Sequence, residues 1–350
     1  MSTMTDSRFT ALLDEVARHA PAFCHRDRAE AACRELGWTL TGKKIEISET
    51  PSSGRLFEED DQYSKGDGQW QSLYIRIAVI EPENFRHHLD LATAIWGKPS
   101  WYTGYGDLVV CWAVGDDTIR QLALDEDGTL TLRVHLSEAE ADQNWWLWKT
   151  QYHYPDFVDD DDLVLLDEND LAETSADEYE MTFTWTGHEG RGNAHGPAEI
   201  WSVYTPRHLR GILTDALRDV HLAMRALGPG PDPLRVEFFP ATAESDARAR
   251  LELSPDEIRL SVDLTDATRD YLTAHDGFDL DGDTAERRWP ATPDYFRIAA
   301  TATVVSLHHV GLAIPVPGED DDEDNEGVVT MTICGNPLPL ADFDLAITIG

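Results

Sequence analysis

The sequence predicts an α+β protein of two related modules, each an antiparallel sheet with one or two packed helices. Three observations predict this class. In some segments apolar residues recur every three or four positions, as in helices that bury one face. In others they alternate in short runs joined by turns, as in antiparallel strands. The order strand, proline-initiated helix, glycine and three strands occurs twice, which indicates an internal duplication.

The first module, residues 1 to 150, begins with two predicted helices. The first carries its apolar residues at helical spacing, at Phe9, Leu12, Leu13 and Val16. The second runs from about Arg26 to Leu36 and ends before Gly37, a typical glycine position after a helix. Strands are predicted at "TLTGKKIEI" and at "SLYIRIAVI". The polar stretch "SETPSSGRLFEEDDQYSKGDGQ" between them is predicted to be a loop.

The rest of the first module is predicted to contain a half-buried strand, a helix and a three-strand meander. One face of "SLYIRIAVI" is expected to carry Leu73, Ile75, Ile77 and Val79. Pro82 starts a helix that ends at Gly97. Its apolar stripe is Phe85, Leu89, Ala92 and Trp96. Strands "DLVVCWAVG", "TIRQLAL" and "LTLRVHL" form a meander, and a helical patch at "SEAEADQNWWLWK" closes the module.

The second module, residues 179 to 350, repeats the pattern in part. The strand "AEIWSVYTP" leads into the strongest predicted helix, which ends at Gly228. Its apolar stripe is Leu209, Leu213, Leu217, Val220, Met224 and Leu227. Further strands are predicted in chain order at "LRVEFFPA", "ARARLELS", "EIRLSVDL", "YFRIAATATVVSL", "GVVTMTICG" and "FDLAITIG".

The charge is the outlier of the composition. Asp and Glu number 66 against 28 Lys and Arg, which gives a formal net charge of -38. Such a field repels nucleic acid and anionic lipid surfaces and attracts cationic proteins. No apolar window is long enough to span a membrane, and the N-terminus lacks the pattern of a signal peptide. We therefore expect a cytoplasmic protein without nucleic-acid or membrane partners.

Residues 151 to 178 form a predicted acidic linker and docking segment. No Lys or Arg occurs from Gln151 to Gly190. Apolar residues are interleaved with the carboxylates, which favours a fixed surface that binds a basic protein. The predicted partner-binding residues are Tyr152, Tyr154, Asp159, Asp160, Asp161, Asp162, Asp167, Glu168 and Asp170. A solvated loop and an adaptation to high salt are equally weighted alternatives.

Aromatic residues flank this segment. Tyr and Trp are common at protein interfaces because they bury a large area and lose few rotatable bonds. Trp145 and Trp148 are better explained by packing of a helix onto the first module. Trp101, Tyr102 and Tyr105 form a second aromatic stretch, which we predict to be a loop.

Catalytic and metal signatures are absent from the sequence. No nucleophile elbow, phosphate-binding loop or dinucleotide fingerprint occurs. "DGFDLDGDTAE" fails the calcium-loop spacing, since Thr284 and Pro290 stand where glycine and glutamate are needed. The pairs His87-His88 and His308-His309 would point in opposite directions if extended. No cofactor, metal or catalytic residue is therefore predicted, and the four cysteines are expected to be buried thiols.

Residues 28 to 136 resemble a family of uncharacterised actinobacterial proteins that are suspected to be immunity proteins of polymorphic toxin systems. The resemblance lies in "ELGW", in the helix that ends "WGKP", and in "VVCWAVGDDTIRQLALDEDGTLTLRV". It implies a protein that binds a cognate toxin domain and occludes it, and it carries over no catalytic residue. The expected function is thus a non-enzymatic, toxin-binding immunity protein. A chaperone or scaffold for a secreted substrate, and an enzyme with an unrecognised motif, are the alternatives.

Overall fold

The α+β class is confirmed by the computed structural model. It describes residues 4–47, 52–57, 72–104, 107–115, 118–136, 181–187, 199–200, 206–240, 248–264, 269, 272, 277–310, 329–335, 337–340 and 343–349. These residues fall into two compact units, the first within Met1–Leu147 and Trp185–Gly190 and the second within Trp148–Thr184 and Arg191–Gly350. Among them, no helix combines the length and the apolar character needed to cross a membrane.

The described residues of unit 1 form three helices and an antiparallel sheet. The helices are α1 (Asp6–Phe23), α2 (Arg26–Glu35) and α3 (Phe85–Trp96), and a 3-10 turn, Pro82–Asn84, precedes α3. The strands are β1 (Thr39–Thr41), β2 (Lys44–Glu46), β3 (Ser53–Phe57), β4 (Ser72–Val79), β5 (Trp101–Gly104), β6 (Asp107–Val114), β7 (Thr118–Asp125) and β8 (Thr129–Leu136). Within this unit they are ordered β1-β2-β3-β4-β8-β7-β6-β5.

The first three predicted helices are confirmed as α1, α2 and α3, and the apolar stripes of α1 and α3 are buried. The helical patch predicted at "SEAEADQNWWLWK" lies outside the described residues. Thr5 caps α1, because its side chain accepts a hydrogen bond from the Arg8 backbone N–H. The first backbone N–H groups of a helix have no partner within the helix, and this bond satisfies one of them. The indole Nε1 of Trp96 donates to the Leu13 carbonyl at 3.0 Å. This bond joins the end of α3 to α1, so the two helices form one layer against the sheet.

Two predictions around β3 and β4 are wrong. The stretch predicted to be a loop contains β3, which pairs with both β2 and β4. Its Gly and Ser residues suggest a turn, but a Cβ at Gly54 would lie 3.1 Å from the Tyr74 carbonyl oxygen, so the glycine serves close strand packing. Val79 does not share the buried face of β4, because the register shifts between Arg76 and Ala78 and leaves Val79 47% exposed.

Unit 2 contains two helices and a second antiparallel sheet among the described residues. The helices are α4 (Pro206–Leu227) and α5 (Pro293–His309). Two further strands of the chain, β9 (Met181–Gly187) and β17 (Phe343–Ile349), are not part of this sheet. The strands of the second sheet are β10 (Glu199–Ile200), β11 (Leu234–Pro240), β12 (Ala249–Leu253), β13 (Glu257–Asp263), β14 (Asp279–Asp281), β15 (Thr284–Pro290) and β16 (Val329–Cys334). They are ordered β10-β16-β11-β12-β13-β15-β14.

The strand predicted at "YFRIAATATVVSL" is wrong, because this segment forms α5. Its Thr and Val residues favour strands, yet Pro293 and Asp294 start a helix and the run is too long for a strand. The hydroxyls of Thr301 and Thr303 donate to the carbonyls of Arg297 and Ala299 at 2.9 and 2.8 Å. These bonds satisfy polar groups inside a helix that is buried along most of its length.

The two units share a connection that differs from the predicted repeat. In unit 1, α3 carries the chain from β4 to β5, and three strands lie between these two. In unit 2, α5 carries the chain from β15 to β16, again with three strands between, whereas α4 joins β10 and β11 with one strand between. The counterpart of α3 is therefore α5. The helix starts agree, since Pro82–Arg86 reads "PENFR", Pro293–Arg297 reads "PDYFR", and both phenylalanines are buried.

Candidate functional site

The predicted partner-binding residues lie outside the described part of the chain. This holds for every one of them: Tyr152, Tyr154, Asp159, Asp160, Asp161, Asp162, Asp167, Glu168 and Asp170. It also holds for the second acidic run, Glu319 to Asp324. The docking segment therefore stays a prediction, and the described residues bear on it through the distribution of charge.

The negative charge of the chain is concentrated outside the described residues. All 28 basic residues except Lys65, Lys149 and Arg191 belong to the described residues. More than half of the 66 acidic residues do not. The formal net charge of the described residues is consequently close to zero, although that of the whole chain is -38. Residues 151 to 178 hold 11 of the 66 acidic residues and no Lys or Arg.

One face of the second sheet shows how charge is balanced within a unit. Glu252 on β12 accepts hydrogen bonds from Arg235 of β11 at 2.8 Å and from Arg259 of β13 at 2.9 Å. Although burial raises its pKa, the bonds from Arg259 and Arg235 outweigh burial and hold the pKa of Glu252 below its ordinary value. Arg250 pairs with Glu237 at 2.9 Å on the same strands.

Sequence reasoning missed this ladder of Arg and Glu side chains. Its signal is the alternation of charged residues at every second position in "LRVEFF", "ARLEL" and "EIRLSV", which places them on one face. Arg288 extends the ladder on β15, where it pairs with Glu286 at 2.9 Å. The glutamates of this ladder are therefore neutralised by neighbouring arginines.

A polar cluster lies on the sheet of unit 1. Arg133 donates to Asp107 at 2.6 Å, and its guanidinium lies 4.6 Å from the centre of the Tyr74 ring. Burial raises the pKa of Asp107 and of Tyr74, and the charge of Arg133 opposes both shifts. Burial, followed by the charge of Arg133, lowers the pKa of His135 to about 3. His135 is therefore neutral at physiological pH.

The second aromatic stretch is not a loop in its described part. Trp101 and Tyr102 belong to β5, and Tyr105 lies outside the described residues. Tyr102 is buried, and burial raises its pKa to about 12. Because it is buried, it is no exposed anchor for a partner.

The described histidines and cysteines form no reactive constellation. His87 and His88 stand on α3 rather than on a strand, with ring centres 5.5 Å apart, and His87 lies 3.1 Å from Asp6. Within the described residues, no group of three or more His, Cys, Asp or Glu side chains could hold a metal ion. Cys24 and Cys33 are buried thiols as predicted, and burial raises their pKa values to about 12 and about 11.

Comparison with family models, with curated proteins and with solved structures yields no match to this chain. The case for function therefore depends on the residues themselves. The acidic segment from residue 151 to residue 178 contains no Lys or Arg.

Proposed function

We propose that this chain is a cytoplasmic, non-enzymatic binding protein, and that it acts as an immunity protein which binds and occludes a basic toxin domain. The docking surface is the segment from Tyr152 to Asp170. One observation carries the proposal: the acidic segment contains no Lys or Arg from Gln151 to Gly190, and apolar residues are interleaved with its carboxylates.

Ion pairing on one sheet bears on the alternative of adaptation to high salt. A protein adapted in that way carries unpaired carboxylates on its sheets and helices as well as on its loops. Here the described sheet face of unit 2 pairs Glu237 and Glu252 with arginines.

The physical advantage of such a segment is rapid and selective encounter. Clustered like charges focus the potential, and an oppositely charged partner is attracted over distances comparable to the Debye length of about 8 Å at physiological salt. Because residues 151 to 178 contain no Lys or Arg, their field favours the approach of a basic domain to this segment. Binding then relieves the repulsion among Asp159 to Asp162, which gives the partner an energetic gain that a neutral protein would not obtain.

The experiment uses the product of the gene adjacent to the one that encodes this chain. The proposal predicts that its folded C-terminal domain forms a stoichiometric complex with the full-length protein, raises the midpoint of thermal unfolding, and loses its toxic activity in the complex. Binding to the unfolded domain alone would instead indicate a chaperone. Absence of any complex, or turnover of a substrate by this chain, would contradict the proposal.

A further inference from the structure

The sheets of the two units share an arrangement of six strands, although the chain passes through these strands in a different order. Unit 1 places them as β3-β4-β8-β7-β6-β5, and unit 2 places them as β14-β15-β13-β12-β11-β16. Neighbouring strands are antiparallel in both sets. One helix leads from the second position to the sixth in each, α3 in unit 1 and α5 in unit 2. Each of these strands in unit 1 therefore has a counterpart in unit 2.

The hydrogen-bond registers extend this correspondence to single residues. Just after β4, the N–H of Ile80 donates to the Gly128 carbonyl at 2.8 Å. Just after β15, the N–H of Ala291 donates to the Asp256 carbonyl at 3.1 Å. When these two bonds are matched, the same residue types occupy one buried row in each sheet. The rows are Val110, Leu122 and Leu132 in unit 1, and Val236, Leu251 and Leu260 in unit 2.

The two sheets differ at the edge beyond β3 and β14. In unit 1, β2 pairs with β3. In unit 2, β14 is the last strand on its side among the described residues. A second pair of matching rows ends at these strands, and it consists of Val134, Leu73 and Leu56 in unit 1 and of Val262, Ala285 and Leu280 in unit 2. All six are buried except Leu280, which is 42% exposed. The leucine is thus buried where β2 is present and exposed where the sheet ends.

The backbone of β14 is open in the same direction. In unit 1 the N–H of Leu56 points away from β4 and donates to the Lys43 carbonyl, next to β2, at 2.8 Å. Residues of an antiparallel strand alternate between bonding to one neighbour and to the other. The N–H and C=O of Leu280, the counterpart of Leu56, therefore point to the free edge of β14. Such an edge is a template for a further strand.

We propose that the edge of β14 binds an extended cationic segment of a partner protein as an antiparallel strand, with a Lys or Arg side chain opposite Asp279. The three residues of β14 are exposed. From residue 277 to residue 290, four carboxylates stand against two arginines. This charge repels the same acidic strand of a second copy and attracts a cationic one. The surface is separate from the docking segment, and it needs an extended strand instead of a folded basic domain, so the inference goes beyond the proposed function.

β2 of unit 1 shows which strand fits this edge. Lys44 of β2 lies opposite Arg55 of β3, and like charges in that position weaken a strand pair. The counterpart of Arg55 in unit 2 is Asp279, which would face the same lysine with opposite charge. Ile45 of β2 is buried and lies diagonal to Leu56. A peptide with the sequence of residues 41–47, "TGKKIEI", is therefore a suitable probe.

Binding of this peptide to the full-length protein tests the inference. Fluorescence anisotropy should show saturable one-to-one binding, and hydrogen exchange should slow at residues 277–283 when the peptide is bound. A control peptide N-methylated at the positions of Lys43 and Ile45 keeps its charge but cannot donate these two backbone hydrogen bonds. It should bind at least about tenfold more weakly. Absence of binding, equal binding of both peptides, or protection elsewhere in the chain would overturn the inference.

The cationic side chains are tested with a second control peptide, "TGEEIEI", which replaces both lysines. It should bind at least about tenfold more weakly than the parent peptide, because it adds negative charge at an acidic edge. Equal affinity would overturn the assignment of a cationic partner. The protein variant with Asp159 to Asp162 changed to Asn should bind the parent peptide as the unaltered protein does. A loss there would place the peptide on the docking segment and overturn the inference.

A variant of the edge itself completes the test. Leu280→Pro removes the N–H that points outward, and proline is tolerated in edge strands at such positions. It should weaken peptide binding about tenfold or more, whereas the matched control Leu280→Thr keeps the N–H and should stay within about threefold. A dimer of the free protein that Leu280→Pro dissolves would make a second copy the occupant and overturn the inference. If circular dichroism shows that this variant is unfolded, the N-methylated peptide decides.

Discussion

Arg133 of β8 and Asp107 of β6 form an ion pair across the intervening strand β7, with Nη2 of the arginine 2.6 Å from Oδ2 of the aspartate. Both side chains are mostly buried, at 16% and 13% exposure. The same guanidinium stacks over Tyr74 of β4. One arginine thus joins three strands of the sheet in unit 1.

Removing this arginine should destabilise the protein strongly. Arg133→Ala leaves the buried carboxylate of Asp107 without its partner, which should cost about 2–4 kcal/mol of unfolding free energy. The control is Arg18→Ala, which breaks the exposed Arg18–Asp14 pair at 3.0 Å and should cost less than about 0.5 kcal/mol. Urea denaturation measures both. Equal losses in the two variants would show that the Arg133 pair does not stabilise the sheet.

The pairing of Glu252 with two arginines should make stability depend on acid. Its folded-state pKa is below the ordinary value, so its contribution is present above that value and is lost as the pH falls through the lowered pKa. Glu252→Gln should cost about 1–3 kcal/mol at pH 7. The difference from the parent protein should shrink as the pH falls below about 4. A difference that stays constant from pH 7 to pH 3 would contradict this explanation.

His135 should add a second pH dependence, in a different range. Because the folded-state pKa, about 3, lies below the value of the unfolded chain, the stability that neutral His135 provides is lost as the pH falls from 6.5 towards 3. Its Nε2 is buried and has no hydrogen-bond partner among the described residues. His135→Gln should therefore reduce the slope of unfolding free energy against pH by up to about 1.4 kcal/mol per pH unit in this range. Equal slopes of unfolding free energy against pH for the parent protein and the variant would refute the assignment of this pH dependence to His135.

Gly128 should resist substitution more than Gly115. Its φ is 76°, and an added Cβ would lie 2.3 Å from the Ile80 carbonyl oxygen. The chain is close there because the Ile80 N–H donates to the Gly128 carbonyl at 2.8 Å. Gly128→Ala should cost about 3 kcal/mol or more, whereas Gly115→Ala, with φ of 62° and open space, should cost about 1 kcal/mol. Thermal unfolding of the two variants measures the difference.

The sequence predicts the regular elements well where one physical signal dominates. The stripe from Leu209 to Leu227 identifies α4, because a helix that buries one face must repeat its apolar residues. Prediction fails where tertiary contacts override local preference. β3 contains Gly54, which looks like a turn residue until its packing against Tyr74 is known. The Thr and Val residues of α5 favour a strand, but burial and hydroxyl bonds such as that of Thr301 stabilise a helix.

The candidate site is less predictable, for a different reason. Charge counts locate an acidic segment, but they cannot tell which carboxylates are neutralised in three dimensions. The pairing of Glu252 with Arg235 and Arg259 depends on the order of β11, β12 and β13 in the sheet. No single segment of sequence contains that information.

The central claim, that the acidic segment steers a basic partner, is tested most directly by association kinetics. The full-length protein and the variant with Asp159 to Asp162 changed to Asn are compared, from low to high salt, against the basic domain of the adjacent gene product. The matched control removes four exposed carboxylates of unit 2, by Asp→Asn changes at Asp256, Asp279, Asp281 and Asp283. We expect association to be about tenfold slower at low salt for the first variant, with a flatter salt dependence, and nearly unchanged for the control. An association rate that is the same for both variants, or that is slowed equally in both, would contradict the claim.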